Sequence, residues 1–175
     1  MSTDTDKSDK LRDWLLYTGR YLEGFELFTK ELNVALNLFG FGATRLNLGV
    51  YILHPDIAGV AFQSHEDEPG VIGIAVEHED LTNPIYRESP ICRCVENNEV
   101  VRVRICESST NMGFPVIDDL RAEGFTDYGV FPLPGGSERT NVWSIATKSK
   151  GGFSQVQWDN LHGFSLYLSL VVDYL

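Results

Sequence analysis

The chain has 175 residues, 43% of them hydrophobic, and a formal charge of -11, which is enough for one full core and too short for two ordinary domains. A negative field of that size repels phosphate backbones and anionic headgroups, so nucleic acid and membrane are set aside as partners. Three cysteines make no disulfide framework, and the start MSTDTDKSDK has no apolar run of the kind a secretory signal needs, so the chain reads as cytoplasmic with reduced thiols.

Residues 1–10 are polar and read as a disordered tail. Leu11, Trp14, Leu15 and Thr18 then fall at helical spacing, and a short helix is expected to end near Gly19. The next segment puts Phe25, Phe28, Leu32, Ala35, Leu36 and Phe39 on one stripe before Gly40 and Gly42, the clearest amphipathic helix in the chain. From Arg45 the period changes to two. Leu46, Leu48, Val50 and Ile52 alternate with Arg45, Asn47, Gly49 and Tyr51 until His54-Pro55-Asp56 breaks the strand. Further strands are predicted at GVAFQ and VIGIAVEH, with the acidic stretch HEDEPG between them.

In SPICRCVENN, Ser89 is a good N-cap and Pro90 suits the first helical position, so a helix is expected there. Residues two apart on a helix point about 200° from each other, which keeps Cys92 and Cys94 from meeting on one tetrahedral metal ion. Cys94 is expected as a buried small hydrophobe beside Ile91 and Val95, with Cys92 as a peripheral thiol, and no metal site is assigned. The strand VVRVRIC then puts Val101, Val103 and Ile105 on one face and Arg102, Arg104 and Cys106 on the other. Those arginines form either an exposed strip or one wall of a ligand cavity, where they would suit a carboxylate or phosphate.

A helix at FPVIDDLRAEG, a strand at YGVFPLP, a turn at Pro134-Gly135-Gly136 and a strand at TNVWSIATK follow. Thr126 and Asp127, where the chain enters a strand, are expected to bond the turn backbone, with Arg87 or Arg121 as alternative partners for Asp127. A last helix begins after Gly151-Gly152 with Ser154 as N-cap and is expected to run to Leu175. This order fits an α/β (α+β) domain over residues 11–175. Its central antiparallel sheet would carry the terminal helices on one face and the crossover helices on the other.

DWLLYTGR (residues 13–20), TRLNLGVYILHP (44–55), PIYRESPI (84–91), FPVIDDLRAEGFTDYGVFPLP (114–134) and KGGFS (150–154) resemble the GAF-like, PAS-related sensor domains that precede the catalytic domain of many bacterial class III adenylate cyclases. The sequence departs from that pattern at Phe62, where a tryptophan is common, and in its paired cysteines. The resemblance implies a regulatory input domain, without catalytic residues of its own, that passes a signal to a C-terminal cyclase domain. It also implies that the segment after the third strand walls any small-molecule site, which makes His78, Tyr86 and Arg87 candidates beside Arg102 and Arg104, with the effector and any cofactor unidentified. His54 and His78 have turn or core roles as their ordinary alternative.

In the last helix Leu161, Phe164, Leu168, Val171 and Leu175 follow coiled-coil spacing, while Leu166, Leu170 and Tyr174 mark a second strip. The expectation is a parallel homodimer whose interface is the first strip together with the Leu11 to Thr18 helix, the last helix continuing past Leu175 into an output domain. Two other readings compete. One is a GAF-fold free methionine sulfoxide reductase using the cysteines, and the other is a dimerisation module without ligand.

Overall fold

The computed structural model describes residues 4–106, 113–135 and 140–175. Six helices and six strands alternate in the order α1 (Asp4–Tyr17), α2 (Phe25–Leu38), β1 (Arg45–Tyr51), β2 (Ile57–His65), β3 (Val71–Glu77), α3 (Pro84–Arg87), α4 (Pro90–Asn97), β4 (Val101–Val103), α5 (Pro115–Ala122), β5 (Asp127–Leu133), β6 (Asn141–Thr147) and α6 (Gln155–Val172). Local chemistry sets several boundaries. Asn83 and Ser89 cap α3 and α4 by accepting from the backbone N–H groups of Ile85 and Cys92, each followed by proline at the first helical position. Asn98, in the left-handed region at φ 50°, ends α4. Ser154 and Gln157 form a reciprocal capping box that starts α6.

All strand pairs are antiparallel, in the order β3-β2-β1-β6-β5-β4, so the first and last halves of the chain meet at the β1–β6 pair. Because side chains alternate across a strand, each strand serves two cores. On one face Leu46, Leu48, Phe131, Trp143 and Ile145 pack beneath α1, α2 and α6. Trp143 is fully buried, stacks on Phe131 at 5.2 Å and donates Nε1–H to Ser165 Oγ at 2.9 Å, which satisfies its one polar atom. On the other face Val101, Val103, Val130 and Ala146 pack with Cys94 of α4 and with Ile117 and Leu120 of α5. Among the described residues, no helix is long and apolar enough to cross a membrane.

Several expectations change. Residues 4–10 are helical, not a disordered tail, because α1 supports its polar start with the ion pairs Lys10–Asp6 at 2.8 Å and Arg12–Asp9 at 2.9 Å. Residues 1–3 of that expected tail lie outside the described residues, as does Gly136 of the expected Pro134-Gly135-Gly136 turn.

In α6 the two strips exchange roles. Leu161, Phe164, Leu168 and Val171 are buried on the chain's own sheet, and Leu175 packs partly buried against the same core. These five side chains are therefore committed within the chain and do not form a free seam. The coiled-coil spacing misleads because a three-four repeat also describes any helix laid on a sheet. The second strip faces out, with Leu166, Leu170 and Tyr174 at 61%, 69% and 76% exposure. The helix also stops at Val172, short of Leu175, with Asp173 as its C-cap.

Candidate functional site

The two faces of the sheet are not filled equally. Between the β1–β6–β5 floor and the α3–α4 roof lies a cleft of about 330 Å³, next to a second compartment of about 190 Å³. Asn47, Tyr86 and Ile91 line both, so the two spaces adjoin. The sheet supplies a polar floor of Arg45, Asn47, Tyr128 and Ser144, and Ile85, Pro90, Ile91, Val116 and Leu120 supply an apolar roof and wall. Asp80 and Asn83 stand at the mouth. A mostly apolar cavity with a few convergent polar groups is the usual form of a small-molecule site.

The polar floor is partly pre-oriented. Arg45 Nη2 donates to Gln63 Oε1 at 2.7 Å, which leaves Gln63 Nε2 to donate to His65 Nε2 at 2.8 Å and fixes both the amide and the ring. Tyr128 shares a hydrogen bond with Ser144, and burial pushes its hydroxyl above the ordinary value although that bond and the Arg45 charge act the other way. It is neutral at physiological pH. Asn47 Oδ1 is buried and has no hydrogen-bond partner among the described residues. A buried acceptor left unpaired costs about 1–3 kcal/mol, so it is a ready contact for a donor brought from outside.

Of the five sequence-predicted ligand residues, Tyr86 lines the cleft. His78 is exposed and its Nε2 lies 3.1 Å from the carbonyl oxygen of His54, joining two loops, and His54 Nδ1 accepts from Asp56 N–H within its own turn. Arg87 is exposed and pairs with Glu96 at 2.6 Å, clasping α3 to α4. Arg102 and Arg104 are on the opposite side of the sheet. Val101 and Val103 take the α4–α5 face, so alternation sends the arginines beneath the start of α6. There Arg102 pairs with fully buried Asp127 at 2.7 Å, donates to the Phe153 carbonyl at 2.6 Å and lies 4.4 Å from the ring centroid of Trp158. Arg104 donates to the Gly151 carbonyl at 3.2 Å.

Asp127 also accepts from the Phe153 N–H at 3.0 Å, so its partner is Arg102 in place of Arg87 or Arg121, and Arg121 pairs with Asp118 at 2.6 Å. Thr126 bonds the turn backbone as expected, donating to the carbonyls of Thr147 and Ser149. Gly152 is required here, since it holds φ 74° and an added Cβ would come within 2.5 Å of Asp127 Oδ2.

The cysteines fall partly as expected. Cys94 is buried with Ile91 and Val95 packed against its cluster. Cys92 is buried as well, at 1% exposure, and is not peripheral. Burial raises both thiols, that of Cys94 to about 12. Cys106 is exposed, and no cysteine lines the cleft. Among the described residues no group of three or more metal-ligating side chains comes together.

The residues missed by sequence reasoning are those of the floor. Arg45 and Asn47 sit on the polar side of alternating β1, a pattern that equally describes a solvated face, and Ser144 stands between Val142 and Ala146 on its side of β6. Only the crossover placed over that side turns it into a cavity floor.

No family model matches the sequence, and no curated protein matches it. Solved structures do. The phycoerythrobilin-bound GAF domain of a cyanobacterial phytochrome superposes with a TM-score of 0.66 at 13% identity, covering 97% of this chain and 96% of that one. The fold is that of GAF domains. A GAF domain from a phosphoenolpyruvate-protein phosphotransferase of Coxiella burnetii gives 0.65 at 12% identity, over 97% and 95% of the two chains. The GAF domain of the corresponding Acinetobacter protein gives 0.63 at 12%, over 98% and 94%. At these identities the likeness is one of fold.

Proposed function

We propose that this GAF-fold chain is a regulatory input domain that binds a small effector in the cleft under α3 and α4. It would pass the binding event to a partner domain through its terminal helices. The observation that carries this reading is the cleft itself, a polar floor with an unpaired buried acceptor under an apolar roof. The roof is two short helices held by caps and an exposed ion pair, a construction that can shift at low cost when a ligand enters. The resemblance in the DWLLYTGR, LHP and KGGFS segments supports a class III adenylate cyclase as the output, and the bilin seated in the phytochrome neighbour supports a GAF fold as a ligand receiver.

The dimer belongs to the same proposal, moved to the outward strip. Leu166 and Leu170 of α6 and Tyr174 just past its end are exposed, and Tyr174 borders the same depression as Tyr21, just past the end of α1. An apolar strip along α6 that reaches the turn after α1 suits the same strip on a second copy, a two-fold contact through which small helix shifts could be passed on. The sulfoxide reductase reading is weakened by its chemistry. A nucleophilic thiol needs a lowered pKa and access to the pocket, whereas Cys92 and Cys94 are raised and lie outside the cleft lining.

A screen of small fragments by two-dimensional ¹H–¹⁵N NMR tests the reading. Shifts clustered on Asn47, Tyr86, Ile91 and Ser144 are expected. A screen in which no fragment perturbs these residues, or in which hits gather under α1 and α2, would overturn it.

A further inference from the structure

Resting on the cleft as the ligand site, the arrangement of its floor narrows the ligand's chemistry. Arg45 is half-buried, forms no ion pair among the described residues, and uses Nη2 on Gln63, so other guanidinium donors remain to meet an acid group. An arginine without a carboxylate partner is notable in a chain with 25 acidic and 14 basic residues. Asn47, two residues along the same face of β1, offers an unpaired acceptor. Opposite stand Ile85, Ile91, Val116 and Leu120, with Tyr86 and Ser89 as neutral polar neighbours and no second basic side chain in the lining to pair with a second acid group. Asp80 at the mouth, whose Oδ2 accepts from Glu77 N–H, would repel a second negative charge. The volume, about 330 Å³, sits at the lower end of ligand pockets.

We propose that the cleft takes a small monocarboxylic acid that carries one N–H or O–H donor and a short apolar body. The carboxylate lies on Arg45, the donor reaches Asn47 Oδ1, and the body lies along Ile85, Ile91, Val116 and Leu120. A guanidinium fork matches a carboxylate in plane with two hydrogen bonds. Polyanions such as nucleoside triphosphates meet one arginine and one repelling aspartate, and are disfavoured.

The test uses four probes on the full chain, by calorimetry with NMR localisation: N-acetyl-L-leucine (acid and donor), 4-methylpentanoate (acid alone), N-acetyl-L-leucinamide (donor without acid) and adenosine 3′,5′-cyclic monophosphate (a phosphodiester). N-acetyl-L-leucine is expected to bind about tenfold more tightly than either probe lacking one group. Arg45→Gln should erase its advantage over the amide, Arg45→Lys should restore part of it, and Asn47→Ala should erase its advantage over 4-methylpentanoate. The NMR spectrum of each variant reports that it is folded. Equal binding of acid and amide, tightest binding of the cyclic phosphodiester, preferences that persist in the variants, or no binding by any carboxylate would each overturn the proposal. Binding of the amide or the phosphodiester at least as tight as that of N-acetyl-L-leucine, with shifts at Tyr86 and Ile91, would do so while leaving the cleft as a ligand site. Silence at those residues for these probes and for the fragment screen would remove both.

Discussion

The two faces of the sheet use the same strands for different ends. Under α1, α2 and α6 the face is closed, with Trp143, Phe28, Leu36 and Leu168 at or near zero exposure and a buried ion pair, Arg102–Asp127, tying the start of α6 to β4 and β5. Under α3, α4 and α5 it is closed only at the β4–β5 end, and over β1 and β6 it is left open as the cleft. Alternation along β1 expresses the contrast residue by residue, since Leu46 and Leu48 go to the sealed side while Arg45 and Asn47 go to the open one. A rigid core on one side lets the other side be loose without loss of the fold. That is what a receiver of small molecules requires.

The contrast can be broken most strongly at the sealed face. Asp127→Ala leaves Arg102 without its counter-charge and Phe153 N–H without its acceptor, and should cost about 3–5 kcal/mol in urea unfolding. Leu168→Ala, which opens a cavity beneath α6, should cost about 2–5 kcal/mol, whereas Leu170→Ala, two residues on but facing out, should stay within about 0.5 kcal/mol. At the open face Tyr128→Phe, which removes the hydroxyl bonded to Ser144, should cost only about 0.5–1.5 kcal/mol.

Two measurements separate the helices further. Leu170→Glu should leave stability nearly unchanged while shifting sedimentation velocity from dimer to monomer, and a wild-type monomer at micromolar concentration would remove the dimer. Thiol titration should find Cys106 fast in the folded chain, with Cys92 and Cys94 reacting only on unfolding. The Cys94 thiol is held above its unfolded value of 9.0, at about 12, so its contribution is fully present below pH 9 and is lost as pH rises through about 12. Stability of Cys94→Ala should fall less steeply over that window.

The elements were legible in the sequence where pattern and punctuation agreed. The α2 stripe, the β1 alternation, the Ser89-Pro90 start of α4 and the Ser154 cap of α6 all stand where periodicity and capping put them. The side of the sheet on which each polar strip ends was not legible. Arg102 and Arg45 look alike in sequence, each alternating with aliphatics on a strand, and only strand register sends one under Trp158 and the other into the cleft. The same limit exchanged the two strips of α6, because helical phase gives the angle between strips and not which of them meets the sheet. Of the candidates read from sequence Tyr86 lines the cleft, while the floor comes largely from β1 and β6, strands nearly 100 residues apart that pair only in the fold.

Residue-resolved amide hydrogen exchange on the full chain, alone and with the tightest fragment from the NMR screen, tests the difference between the faces most directly. The amides of α4 should exchange at least about tenfold faster than those of α6 between Leu161 and Val171, and the fragment should slow α4 while leaving α6 unchanged. Parallel exchange in both helices, or protection that appears under α6 instead of α4, would contradict the assignment of one face to stability and the other to binding.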